Sequence, residues 1–111
     1  MTFARPSGRG PTRTVPVAGE IDLHNAHEIV DSVTGAVNHG ARNVVVDLDA
    51  VQFMGAAALG ALVRSRNLCR PRGASVSVRC SDSRHRHLFA VTGLEAFLED
   101  GAAGTVTSRS G

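Results

Sequence analysis

The run Asn43-Val44-Val45-Val46-Asp47-Leu48 constrains the fold more than any other stretch of the chain. Three β-branched residues in succession are stiff at χ1 and favour a pleated backbone over a helix. A run with so little polar alternation predicts a strand covered on both faces, at the centre of a sheet. From Met54 the period changes. Leu59, Leu62, Val63 and Arg66 recur at three- and four-residue steps as far as Arg70, and Pro71-Arg72-Gly73 stops the helix. A strand that passes straight into a helix is half of a βαβ unit, so the chain is predicted to build an α/β domain on a mainly parallel sheet.

The flanking sequence extends this pattern. Thr14 to Ala18 alternates about Val15 and Val17 and reads as a strand, closed by the turn Gly19-Glu20-Ile21-Asp22. Ala26, Ile29, Val30, Val33 and Val37 define an amphipathic helix from Asn25, with Asn25 and Glu28 spaced as a capping box and Gly40 as the stop. In Ala74 to Cys80, Val76, Val78 and Cys80 alternate with Ser75, Ser77 and Arg79, the pattern of a half-buried strand. Ser83 to Thr92 is a third helix, capped by Ser81 or Asp82 and closed at Gly93 with Leu94 folding back. Ala96 to Leu98 adds a short final turn, and Thr2 to Ala4 a short edge strand. With that edge the sheet has about four strands, with helices packed on it. The domain is expected over residues 14–98, between flexible segments at 1–13 and 99–111.

Composition excludes several classes. A chain of 111 residues has room for one core and buries roughly two-thirds of its unfolded surface. The longest uncharged run, Ala50 to Val63, is short of the roughly 20 residues of a membrane span. MTFARPSGRGPTR is basic but lacks the apolar run of a secretory signal, which predicts a cytoplasmic protein. Arg64, Arg66, Arg70, Arg72, Arg79, Arg84 and Arg86 cluster, with His85 and His87 between them. Nucleic-acid binding through that cluster would need stacking partners, and the chain has no Tyr or Trp and only 4 Phe, so the cluster reads as a solvated basic face.

The order of elements, with AGEID at 18–22, VVVDLDAVQFM at 44–54, LGALV at 59–63 and VTGLEAFL at 91–98, resembles the STAS family, and within it the bacterial anti-sigma factor antagonists. The resemblance covers about residues 14–98 and implies a small α/β fold and a role in transcription regulation through protein–protein contact. In that family the loop after the central strand carries an Asp, then a phosphorylatable Ser or Thr at the start of the next helix, then a small polar residue, Gly and Leu. Here those positions hold Gly55, Ala56, Ala57, Ala58 and Leu59. The resemblance implies a partner-binding surface at Asp22, Met54, Gly55, Ala56, Ala57 and Leu59. It also implies an anti-sigma factor of the histidine-kinase-like ATPase type as partner, whose loss to the antagonist frees a sigma factor. Ala56 has no oxygen to phosphorylate, and residues 53–63 contain no Ser, Thr or Tyr, so the usual switch is absent. The expected form is a monomer or weak dimer with no cofactor, no metal and no contact with nucleic acid or membrane.

Other sites weigh less. Asp22 also reads as a turn-stabilising residue. Asp47 and Asp49 with Asp22 would suit magnesium, yet the family's acid is missing at Gly55 and no Lys is present. His85 and His87 are two apart and face different ways on a helix, unlike a metal pair at four-residue spacing, and His24 and His27 read as solvent-facing. Cys69 ends a helix and Cys80 the following strand, roughly 20 Å apart at 3.3 Å per residue, too far for an intramolecular disulfide. An enzyme is disfavoured, because GAAALG carries no nucleophile and lacks the Lys and Ser/Thr of a P-loop. The alternatives are a STAS subunit of another assembly, such as a lipid-transport ATPase or a stress-sensing complex, or a degenerate domain; nucleotide binding stays open.

Overall fold

The computed structural model describes residues 2–3 and 11–98. Strand β1 (Thr2–Phe3) is followed by β2 (Thr12–Glu20), α1 (His27–Asn38), β3 (Asn43–Phe53), α2 (Ala56–Cys69), β4 (Ser75–Arg79) and α3 (Ser83–Val91), with short 3-10 turns at Arg70–Arg72 and Glu95–Phe97. The sheet order is β1-β2-β3-β4. β2, β3 and β4 are parallel, and β1 pairs antiparallel with the far end of β2, Phe3 opposite Val17. This is the mainly parallel α/β sheet that the sequence predicts. Of the expected flexible stretches, 99–111 and residues 4–10 lie outside the described residues, whereas Thr12 and Arg13 already belong to β2.

One face of the sheet makes the core. Val15, Val46 and Val78 stand side by side across three strands, and Val44 beside Val76 forms the next row. All five are buried, together with Ile29 and Val33 of α1, Leu62 of α2 and Phe89 of α3. Burying each such side chain contributes about 1.5–3 kcal/mol relative to leaving it in water. The opposite face carries Thr14, Val45 and Ser77 in one row and Pro16, Asp47 and Arg79 in the next. The valine run is buried on both faces, as expected of a central strand, with Val44 and Val46 in the core and Val45 buried on the opposite face. Among the described residues Val45 is the one buried hydrophobic outside the core cluster, and its row neighbours are polar.

The strands are longer than periodicity predicted, because the β2–β3 ladder continues through polar residues from Thr12 opposite Asn43 to Glu20 opposite Phe53. Two register shifts interrupt it. Pro16 and Ala18 face Asp47 and Ala50, and Gly19 and Glu20 face Val51 and Phe53, so β3 carries an extra residue each time. Such bulges bend a strand and re-aim its side chains. Val51 and Met54 turn inward as a result, while Gln52 and Phe53 face out.

Helix starts differ from expectation at α1. The capping box of Asn25 and Glu28 does not form, and α1 begins at His27 without a side-chain cap. Asn25 instead accepts from the Asp22 amide at 2.9 Å and donates to the Glu20 carbonyl at 3.0 Å, which commits it to the turn. α3 begins as predicted, with Asp82 accepting from the Arg84 amide, and ends at Gly93 with the Leu94 amide donating to Phe89 O. The final turn buries Phe97, whose ring lies 6.5 Å from that of Phe89 and receives the Arg66 guanidinium at 4.7 Å. Leu98 then bridges to Val78 alongside β4.

Candidate functional site

The site lies where β2 and β3 end side by side. The Ile21 amide donates to Phe53 O at 2.9 Å, which ties the turn before α1 to the turn before α2. In the first turn the Asp22 carboxylate accepts from the amides of His24 and Asn25 at 2.9 and 3.1 Å, and the Ala26 amide reaches Asp22 O at 3.0 Å. The turn is thus held by its own side chains, and Leu23 at its tip is 86% exposed.

The second turn has no such internal support. Gly55 is the N-cap of α2 in extended conformation, no side chain caps the helix, and its first turn contains no acid. The amides of Ala58 and Leu59 bond back to Gly55 O. Those of Ala56 and Ala57 belong to the first turn, where a helix supplies no internal partner. Between the two turns lies an open depression of about 460 Å³, lined by residues 21–24 on one side and by Phe53, Gly55, Ala56 and Ala57 on the other. Its wall is mostly apolar, and Phe53 stands at its rim with 60% of its surface exposed.

The structure brings together four of the six residues singled out from sequence, Asp22, Gly55, Ala56 and Ala57. Met54 and Leu59 are instead buried in the core cluster beneath it. Leu23 was not singled out from sequence, although an aliphatic residue inside the polar turn Asp22-Leu23-His24-Asn25 is a signal. Phe53 begins the 53–58 loop that the resemblance places at the docking surface, but its outward direction depends on the bulges and had no signal in the sequence.

The other titratable clusters build structure. Asp47 accepts from the Asp49 amide, Asp49 from the Ser81 amide at 2.7 Å, and Arg79 approaches Asp47 at 3.9 Å. Among the described residues no three His, Cys, Asp or Glu side chains are grouped so as to hold a metal ion. His24, His27 and His87 are exposed, while His85 is buried with Nε2 hydrogen-bonded to Val51 O at 3.1 Å. Hydrogen bonds from the Arg84 guanidinium, aided by the Arg84 amide, hold the Asp82 carboxyl well below its ordinary range. Cys69 and Cys80 are both free and buried, and desolvation pushes both thiols up. Among the described residues no helix is long and apolar enough to cross a membrane.

An α/β layer with a bare helix start beside an Asx-stabilised turn defines the class. A sequence model of the STAS domain matches residues 6–107, and the chain belongs to that family. Similar proteins include anti-sigma factor antagonists. The anti-sigma-B factor antagonist of Staphylococcus aureus (strain NCTC 8325 / PS 47) is 27% identical over 84 residues, 76% of this chain and 78% of that protein. The anti-sigma factor antagonist SpoIIAA in its unphosphorylated form superposes with a TM-score of 0.76 over 98% of this chain and 96% of that one, at 15% identity. An anti-sigma factor antagonist from Mycobacterium paratuberculosis gives 0.74 over 96% and 94%, at 23% identity. At these identities the two structures establish the shared fold.

Proposed function

We propose that this chain is an anti-sigma factor antagonist whose docking face is the depression between the Asp22 turn and the start of α2, and that it lacks the family's phosphorylation switch. The partner is an anti-sigma factor of the histidine-kinase-like ATPase type, whose sequestration releases a sigma factor. The observation that carries the reading is Ala56, exposed on an apolar floor at the position where the family places its hydroxyl.

A phosphate there would bring roughly 1.5 to 2 negative charges into the centre of the contact, and like charges at an interface cost several kcal/mol. No residue lining the depression has a hydroxyl. The nearest along the helix, Ser65, is fully buried and donates to Ala61 O at 2.8 Å, so a kinase acting on the folded domain has no access to it. The face therefore stays in the form that the unmodified family members use for binding. Leu23 and Phe53 supply the exposed apolar contact, Asp22 a fixed carboxylate at the rim, and Met54 and Leu59 the packed support underneath.

The test uses the wild-type chain and a Gly55→Asp/Ala56→Ser variant as parallel baits for histidine-kinase-like anti-sigma factors from the same genome. A Cβ at Gly55 meets nothing within 4 Å, so the variant fits the backbone. The expected result is capture by both, with ATP releasing only the variant. Failure of both to bind any anti-sigma factor overturns the reading, as does stoichiometric phosphate on the wild-type chain.

A further inference from the structure

We propose that the partner's footprint does not end at Phe53 but crosses it into a second depression against α3, where an apolar side chain of the same anti-sigma factor is received. This rests on the docking reading above and adds to it a second contact that sets which partner is accepted. The second depression holds about 320 Å³ and is formed by Gln52, Phe53, Met54, Arg84, His85 and Leu88. Phe53 is a wall of both depressions.

Area is the first argument. A specific interface buries about 800 Å² per partner and takes about 20–30 residues a side, whereas eight residues line the first depression. A partner seated there must extend past its rim. Exposed apolar surface shows the direction. Among the described residues the exposed large hydrophobics are Leu23, Phe53, Leu68 and Val91. Leu23 and Phe53 belong to the first depression. Leu68 lies near the far end of α2, about 18 Å along the helix from Ala56 at 1.5 Å per residue. Val91 is 62% exposed and completes a stripe on α3 with Arg84 and Leu88, spaced i, i+4, i+7.

The chemistry of the second depression fixes the kind of group it takes. Its floor is the buried Met54 thioether with the half-buried Leu88, and Met adapts to the shape of an incoming apolar group. His85 is locked by its bond to Val51 O, so the floor is rigid where β3 meets α3. Arg84 stands at the rim, but its guanidinium is engaged by Asp82 at 2.7 and 3.1 Å. The charge is compensated within the chain, and the groove selects an aliphatic or aromatic side chain over a carboxylate. Filling it also covers the second flank of the Phe53 ring, which occupancy of the first depression alone leaves in water.

The experiment titrates full-length variants against purified histidine-kinase-like anti-sigma factors from the same genome, with thermal melts to verify folding. Gln52→Lys/Val91→Glu alters exposed positions outside the first depression, Ala56→Glu blocks the first depression, and Leu68→Glu is the control. The expected result is that Gln52→Lys/Val91→Glu weakens binding roughly tenfold or more with an unchanged melt, while Leu68→Glu stays within about twofold of wild type. If Ala56→Glu abolishes binding and Gln52→Lys/Val91→Glu binds like wild type, the footprint ends at Phe53 and this inference is overturned while the docking reading stands. If no anti-sigma factor binds the wild type, or Ala56→Glu binds as well as wild type, the docking reading falls and takes the second contact with it.

Discussion

The two turns that join strand to helix at this end of the sheet solve the same problem in opposite ways. Before α1, Asp22 and Asn25 satisfy the turn's amides with their own side chains. Before α2, Gly55, Ala56 and Ala57 provide none. A turn that satisfies itself gains little from a visitor, whereas a bare helix start keeps donors and a smooth surface for one. The contrast puts the side-chain hydrogen bonds in the first turn and leaves the second turn without them.

The sharpest way to break that comparison is Ala56→Glu, which puts a charged side chain on the floor of the depression. Affinity for the anti-sigma factor is expected to fall roughly a hundredfold, with the thermal melt nearly unchanged. Next comes Asp22→Ala, which removes the acceptor of two amides in the self-supporting turn. It should cost about 1–2 kcal/mol in urea unfolding. Equal stability of that variant and the wild type would sink the claim that this turn holds itself. Smaller again is Gly55→Asp. It gives α2 the side-chain cap it lacks, in open space and an extended backbone, and is expected to stabilise by a few tenths of a kcal/mol while weakening docking.

The start of α3 offers a third case, a helix capped by a charged pair on the surface. Asp82 is held ionised by Arg84, so its carboxyl titrates lower in the folded state than in the unfolded one. Its contribution is complete above the ordinary carboxylate value of about 3.9 and is lost as pH falls through the lower folded value. Unfolding of Asp82→Asn followed from pH 5 down to pH 2 should show a shallower loss than wild type. An identical slope would mean that the pair does not couple to folding.

Much of this was legible in the sequence, for physical reasons that also mark where it stopped. Val15, Val17, Val76 and Val78 alternate at the strand period, and Ile29, Val30, Val33 and Val37 follow the helix period, so burial writes these elements into the chain. Ladder hydrogen bonds leave no such trace in side chains, which is why the polar ends of β2 and β3 were read short. The predicted capping box does not form because the Asn25 side chain is engaged by the Asp22 amide and the Glu20 carbonyl, and its amide donates to the Asp22 carboxylate. The absence of any hydroxyl from residues 53–63 was readable directly, since it depends only on residue identity. The outward-facing side chain was not: whether Phe53 or Met54 faces water is decided by the two bulges, and both residues are apolar.

The hydroxyl-free stretch of residues 53–63, with Ser65 sealed in the core, has a consequence for control. An antagonist of the proposed kind has no phosphorylation route out of its complex at this face, so there its effect is governed by number rather than by modification. Copies of it below those of its partner leave the sigma factor held, and copies above release it, with a threshold as sharp as the affinity is high. Without a switch at this face, the response fades as the protein is diluted by growth or degraded, which brings synthesis and turnover to the fore.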